Sequence, residues 1–171
     1  AGIMKPQPAI HRVVPAQDSV KSEWILPYDN VREILMAAKT FRVRKCVCRV
    51  QQDHVGRKCE FPLESCINFS SEEHAPRSGE SGPDRYLSRE EALVLLDKTE
   101  EIGLVHTVSN VRNGVGYICN CCGCCCGILR GITDFGIDNS VAQANYFAVI
   151  DPSECLGCGT CIERCQMHAI S

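Results

Sequence analysis

The sequence predicts an α+β fold: a small cysteine-rich metal-binding domain with two core helices and short strands, followed by a short segment with its own cysteine run. Three observations carry this. Residues 27–39 and 88–102 repeat apolar side chains at helical spacing. Short β-branched and aromatic runs bounded by turn residues lie between and after them. The 14 cysteines fall into tight groups at 46–66, 119–126 and 155–165, divided by long cysteine-free stretches.

The 171 residues suffice for one ordinary domain and a small appendage. A net charge of −3 supplies no basic excess to neutralise phosphates, which argues against nucleic-acid binding. No apolar run approaches the roughly 20 residues of a membrane span, and Pro6, Pro8 and Pro15 interrupt the first apolar residues, so no signal peptide is read. A secreted disulfide scaffold would spread its cysteines as a bridging framework. Clustered cysteines without a secretion signal point instead to metal in a reducing cytoplasm.

In chain order, residues 1–23 are proline-punctuated and read as an extended lead-in, and 24–150 as the core domain. Asp29 can cap the first helix, whose apolar face is Val31, Ile34, Leu35 and Ala38. Residues 41–51 alternate apolar with basic residues and read as a short strand; the basic residues are either its solvated face or an offset to thiolate charge. Residues 68–85 are rich in Ser, Glu, Gly and Pro and read as a mobile surface loop, with His74 inert in it. Ser88 and Glu91 make a capping box for the second helix, and Gly103 ends it. Residues 104–108 and 115–118 read as a hairpin turned at Asn113-Gly114, and 142–150 as a further strand closed by Asp151-Pro152.

Cys46, Cys48, Cys59 and Cys66 match the ligand count of one cubane or one zinc. Residues 119–126 contain Cys119, Cys121, Cys122, Cys124, Cys125 and Cys126, a density that no hydrophobic core requires and that suits soft metal ions. A helix beginning at Cys122 would put Cys125 or Cys126 on its face. Not all six need serve one centre; some are open to structural roles or to a cluster shared with the first group. His106 is a minor candidate ligand, and His54 reads as a surface or supporting residue.

Cys155, Cys158, Cys161 and Cys165 spell C-x2-C-x2-C-x3-C, the bacterial-ferredoxin run, in which three cysteines hold one 4Fe-4S cluster and the fourth serves another. Gln166 stands where that run has proline. Residues 151–171 are therefore read as a ferredoxin-type 4Fe-4S segment, half of a two-cluster unit. The chain starts without methionine and stops at Ser171, before a second motif. The expectation is a piece of a longer protein, the alternative being that upstream cysteines complete both sites.

Taken with Leu26-Pro27-Tyr28, Cys46-Val47-Cys48-Arg49, residues 62–66, residues 103–106 and residues 118–126, this run resembles a family of anaerobe iron–sulfur proteins with a 4Fe-4S dicluster, or ferredoxin-like, domain. The resemblance extends from about Arg12 to the end. In that family a winged-helix-like segment usually precedes this region and a second ferredoxin motif follows it. The resemblance implies iron–sulfur binding and electron transfer, with no defined substrate.

The functional expectation is an electron carrier that passes single electrons between a donor and a partner oxidoreductase. It would hold two 4Fe-4S clusters in the core and one or two involving the C-terminal run. No G-x-G-x-x-G or P-loop is present to suggest a nucleotide enzyme. The alternatives are a structural zinc or interaction module and an iron–sulfur redox sensor; chemistry at an open cluster, with His106 or His54 as the non-cysteine ligand, is a weaker reading. Ligand-dense loops without an apolar core of their own predict a metal-free protein that is unstable or molten.

Overall fold

The computed structural model describes residues 9–14, 30–72, 85–111, 113–142 and 148–171. Among the described residues the strands are β1 (His11–Val13), β2 (Thr40–Lys45), β3 (Glu64–Ser70), β4 (Arg85–Leu87), β5 (Val105–Ser109), β6 (Tyr117–Cys121) and β7 (Val141–Ala142). They form one sheet in the order β4-β2-β3-β6-β5-β1-β7, antiparallel except for the β1–β7 pair. The helices are α1 (Val31–Met36), α2 (Val47–His54), α3 (Arg89–Glu101), α4 (Gly127–Thr133) and α5 (Thr160–Arg164). Mixed helix and strand agree with the α+β expectation. None of the helices among the described residues is long and apolar enough to cross a membrane.

The two expected core helices form, and they pack on each other. Asn30 caps α1, its side chain accepting the N–H groups of Arg32 and Glu33 at 3.0 and 3.2 Å; Asp29 lies outside the described residues. Ser88 and Glu91 close the expected capping box on α3. Gly103 follows at φ +78°, a conformation costly for a residue with a Cβ.

Period-two alternation gives the sheet two chemically different faces. Phe41 and Val43 of β2, Ile67 of β3, Val108 of β5 and Ile118 of β6 join Val31, Leu35, Ala92 and Leu96 of the helices in one buried apolar cluster. The intervening residues Arg44, Cys66, Asn68, Tyr117, Cys119 and Cys121 line a cavity, so they point to the other face. Cross-strand register agrees: Arg44 pairs with Cys66, Asn68 with Tyr117, and Ile67 with Ile118.

Several local expectations are corrected. The strand expected over 41–51 stops at Lys45, where the ladder to β3 loses register, and the chain turns at Cys46 into α2. The helix expected from Cys122 begins only at Gly127. Residues 119–121 are held in the ladder opposite Val105, His106 and Thr107, and a turn follows before Cys126 takes the cap position. Asn68–Ser70, expected in a loop, belong to β3; 73–84, with His74, lie outside the described residues. Of the strand expected over 142–150, Ala142 ends β7, 143–147 lie outside the described residues and 148–150 are irregular. The lead-in contributes β1, paired to β5.

Candidate metal centre

The fold sorts the upstream cysteines by space, against their order in the chain. The set 46/48/59/66 is divided. Cys46, Cys48 and Cys66 join Cys119, Cys121 and Cys126, whereas Cys59 joins Cys122, Cys124 and Cys125.

The first set is a ring of six thiols around one cavity. Each shifts its neighbours' hold on a proton, in an order that runs from Cys46 to Cys48, Cys126, Cys121, Cys119, Cys66 and back to Cys46. The ring borders a cavity of about 460 Å³ that His11, Arg44, Lys45, Tyr117 and Ile128 also line. Three local structures deliver it: the β2–α2 junction brings Cys46 and Cys48, alternation on β3 and β6 brings Cys66, Cys119 and Cys121, and the cap of α4 brings Cys126. The thiols crowd one another. Cys126 is pushed up to about 12 by the neighbouring Cys121 and by burial, against Cys48. Cys66 stands at about 11, where Cys119 favours its thiolate and Cys46 and burial oppose it. Thiols held this high keep their protons at neutral pH until a metal displaces them.

The second set is tighter. Cys59 Sγ lies 3.8 Å from Cys122 Sγ and 3.7 Å from Cys124 Sγ, and Cys124 Sγ is 3.7 Å from Cys125 Sγ. All four sulfurs lie within 4.8 Å of one another. Cys59 arrives on the irregular stretch after α2, and the other three on the turn between β6 and α4. Leu104 and Phe61 pack against them.

Arg49 stands between the sets. It is 0 % exposed, and its guanidinium donates to the Pro62 carbonyl at 2.6 Å, the Ser65 hydroxyl at 2.5 Å and the Asn120 carbonyl at 2.9 Å. Burial alone would lower its affinity for a proton; the thiols of Cys122, Cys46 and Cys59 raise it above the ordinary value. The effect is mutual: burial pushes Cys122 up, and Arg49 draws it below the usual thiol range. Of the two expectations for the basic residues of 41–51, charge offset fits Arg49, which has no solvated face.

Beside Arg49, His106 and Asn120 are buried and paired. The Asn120 amide donates to the Ser65 carbonyl at 2.5 Å and its oxygen faces His106 Nδ1 at 2.6 Å, so Nδ1 carries the proton. His106 Nε2 is buried without a partner. The imidazole thus braces the strand that carries the thiols, and it is not a member of the compact thiol group.

Cys155, Cys158 and Cys161 are exposed and Cys165 half-buried. The loop turns at Gly157 and Gly159, at φ +64° and +77°. Cys165 Sγ accepts the Ala169 N–H at 3.3 Å; burial opposes its ionisation, and the backbone N–H groups of residues 167–170 bring it below the ordinary thiol value. Residues 148–171 match the 4Fe-4S binding domain. The donor set fits that group: three closely spaced thiols for one cluster, Cys165 placed to serve another, glycines opening the loop, and a main-chain N–H directed at sulfur. The exposed thiols are not gathered into a one-ion group, as the 59/122/124/125 set is. No curated protein and no solved structure matches the chain.

The 4Fe-4S segment docks on the core. Gln166 Oε1 accepts the Gly123 N–H at 2.9 Å, Arg164 donates to the Glu100 carbonyl at 2.7 Å, and Met167 packs against the cluster of Cys121, Cys126 and Leu129. Sequence reasoning missed two participants. Gln166 was read only as a replacement for proline. His11, on the cavity wall with Nδ1 buried and unpartnered, lies too far along the chain from any cysteine for spacing to reveal it.

Proposed function

We propose that this chain is an iron–sulfur electron-transfer protein passing single electrons between a donor and a partner oxidoreductase. The 4Fe-4S match at residues 148–171 supports iron–sulfur electron transfer in general. The observation that carries the finer reading is the docking of that segment. Its Gln166 binds the Gly123 N–H, between Cys122 and Cys124, and its Met167 packs against Cys121 and Cys126 of the six-thiol ring. A cluster held by Cys155, Cys158 and Cys161 then belongs to the same packed unit as the core thiols, as an electron relay requires.

In this reading the ring of Cys46, Cys48, Cys66, Cys119, Cys121 and Cys126 holds the inner iron–sulfur centre. A bound cluster would supply one-electron redox chemistry. The chain's residues supply thiolates, wall the site with Ile128 and Tyr117, and offset negative charge with Lys45, Arg44 and buried Arg49. The exposed 155–161 loop is the face a redox partner would meet.

The test is anaerobic stopped-flow mixing of reduced, desalted protein with an oxidised viologen. Reoxidation in one-electron steps, with the optical change of an iron–sulfur chromophore, is expected. A chain that binds no iron or sulfide after anaerobic reconstitution would overturn the proposal. Among the described residues, a structural metal is favoured at the quartet containing Cys59.

A further inference from the structure

We propose that Cys59, Cys122, Cys124 and Cys125 bind a single divalent d-block ion tetrahedrally, without sulfide, beside the iron–sulfur chemistry. The spacing decides this. Thiolates about 2.3 Å from one central ion stand about 3.8 Å apart at the corners of a tetrahedron, and the sulfur separations here are 3.7, 3.7 and 3.8 Å. In a cubane each thiolate sits on its own iron, which spreads the sulfurs to roughly 6 Å. All four sulfurs lie within 4.8 Å of one another, too close for four irons and four sulfides between them.

The surroundings agree. Leu104 and Phe61 pack directly on Cys122, Cys125 and Cys59; the 460 Å³ cavity is lined by the other six thiols, and of the quartet only Cys122 reaches it. Charge agrees as well. Four thiolates around a divalent ion carry two net negative charges, and the buried Arg49 guanidinium, held at the Asn120 carbonyl and over the Phe61 ring, offsets one. The ion would tie the irregular stretch bearing Cys59 to the β6–α4 turn, a cross-link between residues 63 positions apart. It would do so whether or not the chain carries electrons.

The metal is zinc or ferrous iron, since both accept four thiolates in a tetrahedron. The test is metal and acid-labile sulfide analysis of the anaerobically purified full chain beside Cys59→Ser and Cys124→Ser. Cys124 is exposed, so its variant reports even where Cys59→Ser fails to fold. The expected result is loss of one metal ion per chain with no loss of sulfide and an unchanged iron–sulfur spectrum. Zinc as the lost metal, or iron with a mononuclear high-spin signal after oxidation, supports the proposal and assigns the native ion. Loss of several irons with matching sulfide, or retention of all metal in both variants, overturns it.

Discussion

Gln166 Oε1 accepts the backbone N–H of Gly123 at 2.9 Å, which fastens the 4Fe-4S segment to the turn that carries three thiols of the quartet. The approach is so close that a Cβ on Gly123 would stand 2.1 Å from the Gln166 carbonyl oxygen. Gly123→Ala must therefore displace the segment, at a cost of about 1–3 kcal/mol for an overpacked contact. Gln166→Ala removes one hydrogen bond, worth about 1 kcal/mol. Limited proteolysis of the metal-loaded chain should release the C-terminal segment sooner in both variants, and most rapidly in Gly123→Ala.

Arg49 binds three oxygens from two stretches of the chain, 62–65 and Asn120, while facing two thiol sets. Arg49→Met should destabilise the protein by about 3–5 kcal/mol, the usual cost of removing one member of a buried charged network. Arg49→Lys should recover little, because an ammonium cannot reproduce the planar fork that reaches Pro62, Ser65 and Asn120 together. Denaturant unfolding of the metal-loaded proteins measures both.

Burial holds His106 below its ordinary value, with Asn120 and Glu100 opposing the shift. The folded state therefore binds the proton less readily than the unfolded chain, whose histidine titrates near 6.5. The stabilisation is complete above about pH 6.5 and declines as the pH falls towards the folded value. Relative to His106→Gln, the wild type should lose melting temperature between pH 7 and pH 5. Parallel lines for the two proteins over that range would contradict the assignment.

Metal removal should divide the molecule. The helices α1 and α3 pack on an apolar sheet face whose buried cluster includes Leu35, Phe41, Ile67, Leu96 and Ile118. Burial of such side chains contributes about 1.5–3 kcal/mol each. Among the described residues, the apolar side chains packed on the thiols of the cysteine turn are Leu104 and Phe61. A chelated, reduced sample should keep most of its far-UV circular dichroism while the 55–63 and 122–126 stretches become protease-sensitive. This is narrower than the sequence-based expectation of an unstable or molten apo protein, which did not foresee how much apolar surface the sheet buries.

Where local pattern decides structure, the sequence was legible: the Ser88–Glu91 capping box, the hairpin before the cysteine run and the C-x2-C-x2-C-x3-C spacing. Alternation was legible too, because Ile118-Cys119-Asn120-Cys121 already places two thiols on one face. The division of the thiols was not. Cys59 and Cys66 are seven positions apart yet join different sets, since β3 carries Cys66 into the ring while the irregular stretch before it leaves Cys59 at the β6–α4 turn. Partners brought together across 63 residues leave no trace in local spacing. Gln166 and His11 acquire their places only through tertiary packing.

The central claim is tested most directly by acid-labile sulfide and electron paramagnetic resonance on the anaerobically purified full chain, beside a Cys155→Ser, Cys158→Ser, Cys161→Ser triple variant. The account predicts sulfide and reducible iron–sulfur signals in the wild type. The triple variant should lose one cluster's share of sulfide and keep the signal of the six-thiol centre. Zinc without sulfide in the wild type, reproduced under strict anaerobiosis, would contradict iron–sulfur electron transfer and leave a structural metal protein.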